Sequence, residues 1–196
     1  ELSDDHLSAE AALAYGRRFQ FEEAHAQQVT KLSLALFDQL APLHRLPASA
    51  RPLLEVAALL HDIGIAVNYQ RHHKHTYYLI QNADLPGLSP RDRELVARVA
   101  RYHRRSLPVA GHVGLAGLST SEARLVAKLA VILRLADSLD RSHRQPVKGI
   151  RTILGNTVVV VQLVGKSSDD LELWDAAQEA PALKKVLGRP VEIVEG

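Results

Sequence analysis

The chain has 196 residues, 46% of them hydrophobic, with 24 Lys and Arg set against 22 acids and no cysteine. That length buries a full core and fits one domain plus a small appendage, while a net charge of +2 excludes a polycation and leaves no specific nucleic-acid partner expected. The missing cysteines exclude disulfide frameworks, thiolate metal sites and cysteine nucleophiles. A reducing cytoplasm is the expected location, because no apolar run approaches the roughly 20 residues of a membrane span and no signal-peptide pattern opens the chain. The chain starts at Glu1 and lacks methionine, so a processed or excised piece of a longer protein is expected.

In chain order, Ser3-Asp4-Asp5 offers caps for an alanine-rich helix, and Val29, Leu32, Leu36 and Leu40 mark one face of a second. Pro42, Pro47 and Pro52 punctuate its exit. The pattern predicts further helices from about Leu53 to Ile63 and from His75 to Asn82, the latter ending at the Pro86-Gly87 turn. Ser89-Pro90 with Asp92 launches a helix to about His103, and Ser119 with Glu122 forms a capping box for one reaching about Arg141. Between them, Ser106 to Ser119 carries Pro108, Gly111, Gly114 and Gly117 and reads as a long loop. After Pro146 the period changes. Arg151–Leu154 and Thr157–Val164 read as a hairpin with a two-residue type II′ turn at Gly155-Asn156. A polar loop over Gly165–Asp170, a helix over Leu171–Leu187 and a short strand over Val191–Val194 complete the pattern. The fold class is mainly α, a helical domain over 1–145 followed by a small α+β subdomain over 146–196.

Leu59-Leu60-His61-Asp62-Ile63-Gly64 places an imidazole and a carboxylate side by side at the buried end of a helix, where unpaired burial costs roughly several kcal/mol. Other helices aim matching groups inward. His25 lies on the stripe of Val29, Leu32 and Leu36; His103 follows Val96, Val99 and Ala100; Asp137 and Asp140 share the face of Val126, Ala130 and Leu133. Each alone fits a hydrogen-bonded core residue. Together, in a chain without thiolates, they are the ligand types of a non-thiolate metal centre. Helical spacing allows either Asp137 or Asp140 as the distal carboxylate.

His25, then His61-Asp62, then Asp137 resembles the HD superfamily of metal-dependent phosphohydrolases. More specifically, Glu22-Glu23-Ala24-His25-Ala26, Leu60-His61-Asp62-Ile63-Gly64, Ala83-Asp84-Leu85-Pro86-Gly87, Arg101-Tyr102-His103-Arg104 and Leu133–His143 resemble the C-terminal region of the Ppx/GppA family, the exopolyphosphatases and guanosine-pentaphosphate phosphohydrolases. The resemblance covers nearly the whole chain and implies an HD-domain-like helical bundle. It selects Asp137 as the distal ligand. Many members of the family lack the Asp of the doublet, whereas Asp62 is present here. The family's actin-like half, to which its phosphatase chemistry is assigned, has no counterpart in these residues, and no Walker-type loop occurs.

The resemblance therefore implies a divalent ion (Mn, Fe, Mg, Co, Ni or Zn) on His25, His61, Asp62 and Asp137, with His61 and Asp62 as the catalytic pair. It further implies a second ion bridged by Asp62 to His75 and His103. Lys74, Arg104 and Arg141 are expected to neutralise phosphate oxygens. Expected substrates are polyphosphate, guanosine penta- or tetraphosphate, or another nucleotide, and a homodimer is implied. The alternative is a non-catalytic module in which the basic run Arg71–Arg105 holds polyphosphate or mediates dimer contacts.

Overall fold

The computed structural model describes residues 4–108, 112–165 and 171–196. Ser3, most of the expected polar loop at 165–170, and Gly111 lie outside the described residues. Eight helices, α1 (Asp4–Arg17), α2 (Glu23–Gln39), α3 (Ala41–His44), α4 (Ala50–Leu60), α5 (His72–Gln81), α6 (Pro90–Arg101), α7 (Thr120–Ser138) and α8 (Leu171–Leu187), accompany strands β1 (Gly149–Leu154), β2 (Val159–Val164) and β3 (Val191–Glu195). The fold is mainly α with a small α+β part.

Helix starts follow their caps. The Ser89 hydroxyl accepts the Asp92 backbone N–H at 3.0 Å, and Pro90 fills the first turn of α6. At α7 the box is reciprocal: Ser119 Oγ accepts from Glu122 N, and the Glu122 carboxylate accepts from Ser119 N at 2.7 Å. Helix α4 is apolar nearly all round, as befits a central helix, and it packs against α1, α2, α6 and α7. Leu54, Ala57, Ala58 and Leu60 are fully buried there, and Val126, Leu129, Ile132 and Leu133 of α7 complete the same core. Two starts differ from expectation. Helix α4 begins at Ala50 and passes into a 3-10 turn over Ile63–Ala66, and α5 begins at His72, three residues before the predicted start.

Arg98 anchors the loop between α6 and α7. Buried at 6% exposure, it donates to the carbonyls of Gly114 and Ala116 and pairs with Glu94 at 2.6 Å. The loop contains a 3-10 turn over Val113–Leu115 that the glycine and proline content concealed.

The sheet has order β1-β2-β3, antiparallel then parallel. Leu154 pairs with Val159, so the hairpin loop spans 155–158 and the expected two-residue turn is not formed. A register displaced by two residues keeps the same side chains inward, so alternation does not choose between them. The Val159 N–H is instead taken by the Pro190 carbonyl at 2.9 Å, which ties the start of β2 to the arrival of β3. Val159, Val161 and Leu163 face the core, and the sheet docks through β1 on α2 and through β3 on α8. No helix among the described residues is long and apolar enough to cross a membrane.

Candidate metal centre

The helical architecture brings five segments to one point. His25 sits in the first turn of α2 with its ring buried beneath the Val29–Leu32–Leu36 stripe. His61 continues the α4 spiral by one residue, and Asp62, at φ −107° and ψ 2°, turns the chain out of it. His72 opens α5, His103 follows the end of α6, and Asp137 lies in the last turn of α7.

The side chains meet around Asp62. Its Oδ2 lies 3.5 Å from His61 Nε2 and 3.9 Å from His25 Nε2; Asp137 Oδ1 stands 3.3 Å from His25 Nε2 and 3.5 Å from His61 Nε2. The other Asp62 oxygen, Oδ1, is 3.0 Å from His72 Nε2 and 3.4 Å from His103 Nε2. Asp62 thus divides its two oxygens between two pairs of imidazoles. Ligand atoms about 2.1 Å from a shared ion at ordinary coordination angles stand roughly 3.0–3.5 Å apart, a spacing that each of these pairs meets except His25 and Asp62 at 3.9 Å.

Ring polarity tests the fit more strictly. His61 Nδ1 donates to the Ala58 carbonyl at 2.7 Å, His72 Nδ1 to that of Tyr69 at 3.0 Å, and His103 Nδ1 to that of Ala100 at 2.6 Å. A carbonyl only accepts, so each Nδ1 carries the proton and each neutral ring presents its lone pair at Nε2. His25 is fixed alike, with Nδ1 on Asp140 Oδ2 at 2.8 Å, while Asp140 Oδ1 accepts the Gln145 backbone N–H at 2.6 Å. Nε2 of His25 and of His61 is buried without a hydrogen-bond partner among the described residues, and Nε2 of His72 and His103 face each other at 3.2 Å. With both rings neutral two lone pairs would face each other, a contact that a bound cation or a shared proton relieves. The donor set fits divalent ions.

The charges agree. Burial opposes ionisation of His25, yet the carboxylate of Asp137, 3.3 Å from Nε2, and that of Asp140, hydrogen-bonded to Nδ1, outweigh it and raise its pKa to about 10. His61 is also raised, since Asp62 and Asp137 overcome its complete burial. Against their own burial, Asp62 is held well below the carboxylate range by His61, His103 and His72, and Asp137 is depressed by His25 and His61. His103 moves the other way because burial exceeds the pull of Asp62. At neutral pH His25 holds a second proton, and that proton is what an arriving cation displaces.

Of the residues singled out from the sequence, His25, His61, Asp62, Asp137 and His103 converge. His75 does not. Helix α5 begins at His72, and its buried stripe runs His72, Thr76, Ile80; His75 lies one position off it and is only half-buried. Counting back from Ile80 in fours would have found His72. Arg104 and Arg141 line a cavity of about 200 Å³ with His103 and Asp137, whereas Lys74 lines a neighbouring one of about 130 Å³ with His73 and Arg101, which Arg104 also borders. There burial and the surrounding cations push His73 down to about 4. His143, which no sequence pattern marks, also joins the site: its ring stacks on His25 at 3.7 Å and 2° and its Nδ1 meets Glu22 at 2.7 Å.

The family model for the Ppx/GppA phosphatase, domain III, matches residues 9–173. Among curated proteins, the guanosine-5'-triphosphate,3'-diphosphate pyrophosphatases of Aeromonas hydrophila and Aeromonas salmonicida are 38% identical to this chain over 81 and 80 residues. Those stretches are 41% and 40% of this chain and 16% of each relative, so the match spans a small part of the relatives' length. With a family match running from α1 into α8 and enclosing the whole His/Asp cluster, the chain belongs to the Ppx/GppA phosphatase family, whose domain III it carries.

Proposed function

We propose that this domain holds a two-ion phosphohydrolase centre that cleaves phosphoanhydride or phosphoester bonds. The observation that carries the reading is the common polarity of four imidazoles, each with Nδ1 anchored outward and Nε2 turned toward Asp62 or Asp137. His25, His61, Asp62 and Asp137 would hold one ion; Asp62, His72 and His103 would hold the other. When bound, divalent ions supply an acidified water and polarise phosphoryl oxygens. The protein's own groups hold the substrate. Arg104 and Arg141 line the side of Asp137 and offset the charge of phosphate oxygens, and Asp140 fixes His25 so that its lone pair stays inward. The activity for which the Aeromonas relatives are named, on guanosine-5'-triphosphate,3'-diphosphate, supports guanosine pentaphosphate as substrate.

A second reading, a module that holds polyphosphate without cleaving it, is favoured by one observation. Arg71, Lys74, Arg104 and Arg105 line adjoining cavities, and none forms an ion pair with a described carboxylate.

Metal analysis of protein prepared without chelator, with phosphate release measured on added manganese, tests the proposal. The expected content is about two ions for the wild type, about one for His72→Ala, none for Asp62→Ala and no change for His75→Ala. Wild-type protein free of metal would sink the proposal. Full metal with no phosphate released from guanosine pentaphosphate or polyphosphate would leave the binding module.

A further inference from the structure

The centre is approached from two sides of opposite character. On one side Arg104, Arg105 and Arg141 line a cavity that reaches His103 and Asp137; Arg141 faces Asp175 at 3.8 Å, while Arg104 and Arg105 form no ion pair with a described carboxylate. On the other lies a cavity of about 600 Å³ that reaches His25 and Asp62. Its walls include Phe19 and Phe21, from the segment joining α1 to α2, and Ile65 and Ala66, from the 3-10 turn after the doublet. Phe21 lies so close to α1 that a Cβ on Gly16 would sit 3.0 Å from its ring, so the glycine makes room for this wall. The apolar character extends outward, where Ile65, Val67 and Tyr69 are 40%, 56% and 64% exposed.

This second cavity is a poor host for an inorganic polyanion. Its lining carries one guanidinium, Arg18, against two carboxylates, Glu22 and Asp62, and Glu22 already meets His143 Nδ1 at 2.7 Å. Aromatic and aliphatic walls give a chain of phosphates nothing, while the volume lies within the roughly 300–1,000 Å³ usual for small-molecule sites. His143, with one ring face covered by His25, lines the same cavity and adds a flat polar-edged surface.

We infer that this cavity receives a flat, largely apolar group carried on the phosphate, such as a nucleobase, so that the substrate is an organic phosphate lying across the centre. Its phosphates point to the arginine side and its ring to Phe19, Phe21 and Ile65. The inference rests on the phosphohydrolase reading for what happens at the centre, but the subsite is measurable by binding alone.

The probes are ATP, GTP and inorganic tripolyphosphate, matched in phosphate number, titrated calorimetrically into the chain with calcium present. At least one nucleotide is expected to bind about tenfold or more tighter than tripolyphosphate, the increment expected from burying a ring. Ile65→Asp, at an exposed position where folding is expected to survive, and Phe21→Ala should each remove that advantage and leave tripolyphosphate affinity unchanged. Equal affinity of all three probes for the wild type overturns the inference, as does equal weakening of all three in both variants. A wild-type dimer that Ile65→Asp dissociates, with no nucleotide preference, assigns the apolar mouth to a second copy and also overturns it. If the preference is present while metal and hydrolysis are absent, the subsite stands and the catalytic proposal falls. If tripolyphosphate and nucleotides are hydrolysed alike by wild type and Ile65→Asp, the reverse holds.

Discussion

Asp140 shows how one carboxylate outside the ligand shell governs those within it. It accepts from His25 Nδ1 at 2.8 Å with one oxygen and from the Gln145 backbone N–H at 2.6 Å with the other, and it is fully buried. The Gln145 side-chain amide also donates to it at 3.2 Å, so an amide there faces three donors with one acceptor oxygen, and Asp140→Asn must lose a bond or turn an N–H toward another N–H. Partners of this kind commonly contribute about 10- to 100-fold in metal affinity. The variant is therefore expected to bind manganese or zinc about 10- to 100-fold more weakly in competition with a chelator; unchanged affinity would show that Asp140 merely fills space. The same carboxylate helps raise His25 from 6.5 to about 10, so metal must displace a proton at neutral pH and affinity should climb as pH rises. For the metal-free fold the sign is opposite: a raised His pKa contributes stability that is complete below about 6.5 and lost as pH passes through about 10. Both slopes should flatten in Asp140→Asn.

At the scale of elements, Gly64 couples the doublet to α5. A Cβ at this position would collide with the His72 carbonyl and the Thr76 backbone nitrogen. The Gly64 N–H donates to Thr76 Oγ1 at 3.0 Å, and that hydroxyl donates to the His61 carbonyl at 2.9 Å. Only a glycine lets α5 approach near enough for His72 to reach Asp62. Gly64→Ala is expected to push α5 away, lose the ion on His72 and His103 and retain the one on His25, so metal content should fall from about two ions to about one. Two ions retained in the variant would refute this coupling. The example also shows what was legible. Capping pairs at Ser89 and Ser119 and the inward stripes of α2 and α7 are local patterns, and the family resemblance chose Asp137 over Asp140. The start of α5 was not readable, because Arg71 at φ 59° precedes it without a side-chain cap and its first turn is a His-Lys run that looks like solvated surface. Pairing of β2 with β3 was likewise hidden, since it is set by Pro190, distant in sequence.

Across the whole molecule the ligands tie together helices that pack on one another around α4. Helix α2 carries His25 at one end and Gln39 at the other, whose side-chain amide bonds β1 twice, donating to Ile150 O at 3.1 Å and accepting from Thr152 N at 2.6 Å. Helix α7 carries Asp137 and, through Arg134, pairs with Glu179 of α8 at 2.7 and 3.0 Å. The centre and the sheet are therefore braced by the same two helices. A ligand that binds only the folded state stabilises it by mass action, about 2.7 kcal/mol at a hundredfold excess over its dissociation constant. Because the two ions together would join α2, α4, α5, α6 and α7, which the unfolded chain does not hold together, nearly all their binding energy should appear as folding stability. Added manganese is thus expected to raise Tm by several degrees, and a chelator to reverse the rise. In His61→Ala the shift should shrink or vanish while the helical circular dichroism persists below the transition, since the core of α4 remains. A Tm indifferent to metal in the wild type, at concentrations where metal analysis finds it bound, would mean that the ion sits on the surface and that the five segments close without it.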